Sequence, residues 1–143
     1  MFRAAKKFNR DLSEWNVSRV VDMGRLFSEA KAFDFAICKW DVSTTTTMSS
    51  MFSSATSFNG DVSKWDVTSA KKMDSMFYEA TAFSQTLCAP AWVHSRATKD
   101  LMFKRSSGSI SSALCTVSTF SPVSSPQSPP VFSPQSKVAL KSG

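Results

Sequence analysis

The sequence predicts an α/β repeat solenoid, a stack of 25-residue strand–helix units followed by a disordered C-terminal tail. Apolar residues recur every 25 positions through the first two-thirds of the 143-residue chain. Within each unit the apolar spacing changes from two residues, as in a strand, to about 3.6, as in a helix. From residue 113 the composition changes to Ser and Pro, and acidic residues are absent.

The 25-residue period is carried by seven positions that hold the same kind of residue in each copy. One unit alone cannot bury its Trp, Met and Phe side chains, whereas stacked units bury them against each other. We therefore expect the recurring aromatic residues to form the structural core of the repeats. These residues are Trp15, Trp40, Trp65, Phe27, Phe52, Phe77, Phe33, Phe58 and Phe83.

Each unit is predicted to contain a short strand followed by a helix. Trp65 and Val67 alternate as the inward residues of a strand do. The apolar residues from Met73 to Phe83 fall on one face of a helix. A hydroxyl residue lies between these two elements and can cap the first helical turn; it is Ser18, Ser43 or Thr68 in successive copies. A strand and a helix within 25 residues match the length of a leucine-rich repeat, so the stack is predicted to be leucine-rich-repeat-like.

One polar position of the repeat is expected to join neighbouring copies. It holds Asn in two copies and Asp or Ser in the others, and such side chains form hydrogen bonds with nearby backbone at turns. We expect them to link the turn of one copy to the turn of the next. The residues at this position are Asn9, Asp34, Asn59 and Ser84.

A second polar position is the candidate binding site. Asn16, Asp41 and Asp66 lie between the inward Trp and Val of successive copies, so their side chains should point outward. Stacked at strand spacing, they would form a row on the surface that repeat proteins use for binding. This row could hold a cation or a basic partner. The alternative is that the three side chains only bond neighbouring loops.

The chain is predicted to have three parts. Residues 1–88 hold the tandem repeats, 89–112 a degenerate capping repeat, and 113–143 a Ser/Pro-rich disordered tail, whose few apolar residues cannot offset the entropy of ordering. Ser-Pro dipeptides in the tail are candidate phosphorylation sites; the alternative is an unstructured stalk or translated non-coding sequence. The candidate phosphosites are Ser121, Ser125, Ser128 and Ser133.

The composition argues against several classes of function. Residues 1–88 hold 11 basic and 10 acidic residues, so the predicted folded part has no basic excess for nucleic acid. The single His and the three scattered Cys predict no metal site, no cofactor and no catalytic residues. No apolar run is long enough to span a membrane. We therefore expect a protein that is not an enzyme.

The repeat resembles a known family. Residues 51–76 read MFSSATSFNGDVSKWDVTSAKKMDSM, and the Trp-Asp-Val, Met-x-x-Met-Phe and Phe-Asn elements all occur in order along the repeats. This pattern resembles the repeat of BspA-like leucine-rich-repeat surface proteins, first noted as Mycoplasma-type lipoprotein repeats of unknown function. The resemblance implies a cell-surface or secreted protein that binds another protein, without catalysis or cofactor.

Two further expectations concern the boundaries and location of the protein. Met1 and Phe2 occupy the register of Met51 and Phe52, so the sequence starts within a unit and we expect it to be a fragment. No signal peptide is visible in the sequence, so the surface location follows from the resemblance alone. The alternative function is an intracellular scaffold whose Ser/Pro tail is a phosphorylated docking segment.

Overall fold

The computed structural model describes residues 1–115, and Met1–Ala113 form one compact unit. Strand β1 is Thr86–Leu87, helix α1 is Pro90–Val93, and strand β2 is Ser109–Ile110. The prediction of an α/β solenoid made of strand–helix units is therefore wrong. Among the described residues the one helix has four residues and follows the repeats. The prediction that the stack is leucine-rich-repeat-like is wrong for the same reason.

The segment predicted to be helical is a succession of β-turns. The Leu26 N–H donates to the Met23 carbonyl at 3.2 Å, a bond that spans three residues instead of the four of an α-helix. Arg25 and Glu29 have φ angles of 57° and 62°, in the left-handed region that interrupts a right-handed helix. Met and Phe therefore reach the core from consecutive turns, and their helix-like spacing was misleading.

Other N–H groups of this turn segment bond to the next copy. The Phe27 N–H donates to the Met51 carbonyl at 2.9 Å, and the Phe52 N–H donates to the Met76 carbonyl at 2.8 Å. Successive copies therefore lie side by side in parallel, with each residue beside its equivalent about 25 positions later. Isolated parallel bridges mark this register at Asp22, Thr47, Lys72 and Thr98.

Two columns of stacked phenylalanine rings fill the core. The centroid of the Phe52 ring lies 5.6 Å from that of Phe27 and 5.5 Å from that of Phe77. Phe58, in the second column, stacks on Phe52 at 4.0 Å. The structure buries all six phenylalanines of the predicted core completely, namely Phe27, Phe33, Phe52, Phe58, Phe77 and Phe83.

The tryptophans of the repeat occupy two different environments. Trp40 and Trp65 are buried, and their indole N–H groups donate to the carbonyls of Leu12 at 2.9 Å and Ile37 at 3.1 Å. Each of these indoles therefore reaches back to the preceding copy. The prediction that Trp15 belongs to the core is wrong, because 48% of its surface is exposed. The described residues contain no earlier copy that could cover it.

Residues 89–112 lie on the last repeat and continue the stack. Trp92, in α1, is buried and donates its indole N–H to the Val62 carbonyl at 3.1 Å. Trp65 makes the equivalent bond, to the Ile37 carbonyl, one copy earlier. The Phe103 ring extends the first phenylalanine column. Gly108 approaches this core closely, since a Cβ there would lie 2.5 Å from the ring of Phe83. Beyond residue 115, the predicted tail lies outside the described residues.

Candidate functional site

Asn16, Asp41 and Asp66, here called the Asx row, lie at equivalent places on the surface. All three residues are exposed, as their position between inward-facing residues predicts. Each precedes a buried valine of its copy, which fixes the backbone from the core side. The structure therefore presents the three side chains on three equivalent turns of one continuous stack.

Each side chain of the Asx row is held by the residue two positions later. Asp41 Oδ1 accepts hydrogen bonds from the Ser43 N–H at 3.0 Å and the Ser43 hydroxyl at 2.6 Å. Asp66 Oδ1 accepts the same pair from Thr68, at 3.0 and 2.5 Å. The hydroxyls predicted to cap a helix therefore close a local turn. These bonds are made within one copy and do not reach the neighbouring loops.

The hydrogen bonds favour the charged form of the carboxylate. The Ser43 hydroxyl, followed by the Ser43 backbone N–H, holds the pKa of Asp41 below its usual range. The second carboxylate oxygen of Asp41, and likewise of Asp66, receives no hydrogen bond within residues 1–115. One oxygen of each Asp thus fixes the side chain and the other faces outward.

The position expected to join neighbouring copies does so. Asn9 Oδ1 accepts a hydrogen bond from the Asp34 N–H at 3.1 Å, and Asp34 Oδ1 accepts one from the Asn59 N–H at 3.2 Å. Asn59 Oδ1 then accepts from the Ser84 N–H at 3.1 Å. The prediction for this position is confirmed. These side chains bond from copy to copy, whereas those of the Asx row bond within their own turn.

The remaining candidate groups are not brought together. Among residues 1–115 there is no group of three or more His, Cys, Asp or Glu that could hold a metal ion. Cys38 is an exposed free thiol. The candidate phosphosites Ser121, Ser125, Ser128 and Ser133 lie outside the described residues.

A cavity beside the first copy was missed by the sequence reasoning. It has a volume of about 270 Å³, and its walls include Trp15, Val17, Val20 and Trp40. Val20, one of the residues that line it, is 36% exposed. The signal was available in the 25-residue register, because the residues equivalent to Trp15 and Val20 need a preceding copy to cover them.

The comparison with protein families gives one match. The family model described as "Mycoplasma protein of unknown function, DUF285" matches residues 1–113. The chain belongs to this family. This membership supports the coarser part of the resemblance, a Mycoplasma-type protein of unknown function. The finer part, a BspA-like leucine-rich repeat, is not supported, because the copies lack the strand–helix unit.

Other comparisons leave the function open. No curated protein matches the chain. No solved structure matches it either. Among the described residues, none of the helices has the length and apolar character needed to cross a membrane. The family is itself of unknown function, so the function has to be argued from the Asx row and the surfaces around it.

Proposed function

We propose that this protein is a non-enzymatic module that binds a protein partner through the Asx row. The observation that carries the proposal is that Asp41 and Asp66 stand on equivalent turns, each with one oxygen fixed by its own turn and one unbonded. Side chains held in this way lose little conformational freedom on binding. Repetition of the turn gives a partner equivalent contact positions on successive copies.

The chemistry of the row favours a basic partner over a metal ion. Each outward oxygen can accept a charge-assisted hydrogen bond from Lys or Arg. A hard cation such as Ca²⁺ takes six or more oxygen ligands, while the row provides two carboxylates on separate copies. The low pKa of Asp41 keeps that carboxylate charged throughout the physiological range. The partner we propose is therefore a protein segment that carries closely spaced Lys or Arg residues.

The surroundings of the row contribute to its selectivity. Lys39, adjacent in sequence to the buried Trp40, forms an exposed ion pair with Glu14 at 3.5 Å. In the bridged register, Asp22, Thr47 and Lys72 occupy equivalent backbone positions with three different side chains. The surface therefore varies from copy to copy on a backbone that repeats, as is typical of repeat proteins that bind specific partners. The resemblance supports a cell-surface or secreted location for this module.

The proposal can be tested with a labelled oligo-arginine peptide and the full chain, by fluorescence anisotropy at low ionic strength. The double substitution Asp41→Asn and Asp66→Asn should weaken binding on the order of threefold to tenfold, since two exposed charge pairs are lost. The whole chain carries a net charge of +6, so general attraction for a basic peptide cannot account for binding.

A matched control is provided by Asp11 and Asp61, which are also exposed and also accept a backbone N–H from the residue two positions later. The double substitution Asp11→Asn and Asp61→Asn changes the net charge equally but leaves the Asx row intact. It should bind the peptide as the unsubstituted chain does. Equal losses in both double variants would show that charge, and not the row, determines binding.

A further inference from the structure

Asn16, Val17 and Ser18, here called the sequon, match the pattern of an N-glycosylation acceptor. That pattern is an Asn followed two positions later by Ser or Thr, with any residue except Pro between them. The chain has three asparagines, and Asn16 is the one that fits the pattern. Asn9 and Asn59 are each followed two positions later by an aspartate. The pattern has structural support only where the asparagine lies on the surface, since the attached oligosaccharide is bulky and hydrophilic.

The structure places Asn16 on the surface, and this exposure does not depend on any preceding copy. Asp41 and Asp66, at the same position of the next two copies, are also exposed. Both of those copies are packed between neighbours, so a copy on either side leaves this position open. Val17, in the middle of the sequon, is 7% exposed and fixes the turn to the core. An oligosaccharide on Asn16 would therefore project away from the stack without disturbing its packing.

The amide of Asn16 is held through its oxygen, and its nitrogen is unbonded. Oδ1 accepts hydrogen bonds from the Ser18 N–H at 3.1 Å and from the Ser18 hydroxyl at 2.7 Å. Because a backbone N–H can only donate, the atom that it contacts is the amide oxygen. Asn16 Nδ2 makes no hydrogen bond within residues 1–115. This nitrogen is the atom to which an N-linked oligosaccharide is attached, so a linkage there would break no bond of the fold.

The other asparagines are used inside the stack. Asn59 Nδ2 donates to the Ser84 hydroxyl at 3.5 Å, and its Oδ1 accepts from the Ser84 N–H at 3.1 Å. Asn9 Oδ1 accepts from the Asp34 N–H. These two side chains link neighbouring copies, whereas Asn16 bonds only within its own turn. The turn itself does not need an amide, because an aspartate closes it in the next two copies. The asparagine of the first copy therefore adds a free amide nitrogen to a turn that is otherwise unchanged.

We propose that Asn16 is the acceptor of an N-linked oligosaccharide, whose donor is an oligosaccharide carried on a polyprenyl diphosphate. Asn16 Nδ2 forms a bond to the anomeric carbon of the first sugar and loses one proton. The bond from that carbon to the diphosphate oxygen breaks, and the diphosphate leaves with the bonding electrons. No oxidant or reductant takes part. The inference rests on the secreted or cell-surface location given under the proposed function, and it does not depend on partner binding by Asp41 and Asp66.

The experiment expresses the full chain behind a cleavable signal peptide in cultured human cells and recovers it from the medium. The chain should carry one oligosaccharide that peptide N-glycosidase removes. The enzyme converts the modified Asn16 to aspartate, and mass spectrometry of peptides locates the conversion. Ser18→Ala removes the hydroxyl that the pattern requires and should abolish the modification, whereas Ser18→Thr should keep it. Asn9→Gln and Asn59→Gln are the matched controls and should leave the oligosaccharide in place.

Two further variants separate modification from a structural role of Asn16. Asn16→Asp keeps the oxygen that accepts both turn bonds and should remove the oligosaccharide while the chain is still secreted. Asp41→Asn completes the same pattern with Val42 and Ser43 and should add a second oligosaccharide, because that position is equally exposed.

A secreted chain with Asn16 unmodified would overturn the proposal, whether or not the Asp41→Asn variant is modified. An oligosaccharide that persists in the Asn16→Asp variant would also overturn it. Neither result bears on partner binding, because the oligo-arginine assay uses chain produced in bacteria without an oligosaccharide. Conversely, an Asx row that fails to bind the peptide would leave the modification of Asn16 as it stands.

Discussion

The first and second copies of the repeat have the same tryptophan in two different situations. Trp15 is 48% exposed, whereas Trp40, 25 residues later, is 4% exposed. The nearby valine differs likewise, since Val20 is 36% exposed and Thr45, its equivalent, is fully buried. Burial in this molecule is therefore decided by the neighbouring copy and not by the residue. A sequence pattern that repeats identically can mark a core residue in one copy and a surface residue in the next.

The largest expected effect is the contrast between alanine substitutions at these two tryptophans. Trp40→Ala should lower the free energy of unfolding by about 3–5 kcal/mol, because it leaves a cavity and removes the indole bond to Leu12. Trp15→Ala should cost on the order of 1 kcal/mol, because half of the side chain is already in water. Chemical denaturation followed by circular dichroism measures both values.

The same pair of variants tests whether burial depends on the neighbouring copy. Trp65→Ala serves as a second internal case, since its indole donates to the carbonyl of Ile37 as that of Trp40 does to Leu12. If the Trp15 and Trp40 variants lost equal stability, burial would not depend on the neighbouring copy. If the variants at Trp40 and Trp65 differed widely, the internal copies would not be equivalent.

The 25-residue period was predictable because the internal copies bury the same residues against their neighbours. Six phenylalanines and two tryptophans of the predicted core are buried for this reason. The hydrogen bonds that Asn9, Asp34 and Asn59 make between copies were predictable from residue type and register. These properties depend on repetition, which a single sequence displays directly.

The local conformation of each copy was not predictable from the same pattern. Apolar spacings of three and four arise on one face of a helix, but they also arise when consecutive β-turns direct every third or fourth side chain inward. The positive φ angles at Arg25 and Glu29 distinguish the two cases, and neither residue is a glycine that would have signalled a left-handed conformation. Bonds between copies, such as that from Phe27 to Met51, then satisfy N–H groups that a helix would use internally.

Only part of the candidate site could be predicted. The exposure of Asn16, Asp41 and Asp66 follows from their place between inward residues. Their hydrogen bonds to the residue two positions later were not expected, because Ser43 and Thr68 were interpreted as helix caps. The exposure of Trp15 and Val20 was not predicted, because residues at equivalent positions were all assigned to the core.

A second, smaller effect compares two glycines at opposite ends of the stack. Gly108→Ala places a methyl group 2.5 Å from the Phe83 ring, which is fixed between Phe58 and Phe103. Overpacking of this kind should cost about 1–3 kcal/mol. Gly24→Ala, in the first copy, brings its methyl group to 3.0 Å from the exposed carboxylate of Asp22 and should cost less than about 1 kcal/mol. Thermal unfolding measures the loss of stability in each variant. A larger loss for Gly24→Ala than for Gly108→Ala would contradict the packing described at both ends.

The smallest expected effect separates Asn16 from its titratable equivalents. The pKa of Asp41 is lowered in the folded protein by Ser43, so this residue contributes stability above its unfolded pKa of about 4. That contribution is lost as the pH falls through the lower folded value. Asn16 makes the same two bonds with Ser18, at 3.1 and 2.7 Å, but its amide does not titrate.

Exchanging the two residue types should therefore exchange their pH dependence. Asp41→Asn should flatten the fall of melting temperature below about pH 4, and Asn16→Asp should steepen it. At pH 7 each variant should melt close to the unsubstituted chain, because the side chains are exposed and the turn keeps its acceptor oxygen. If Asn16→Asp left the fall of melting temperature at low pH unchanged while Asp41→Asn altered it, the turn of the first copy would not hold its side chain as the internal turns do. The equivalence of the Asx row, on which the proposed binding rests, would then be restricted to Asp41 and Asp66.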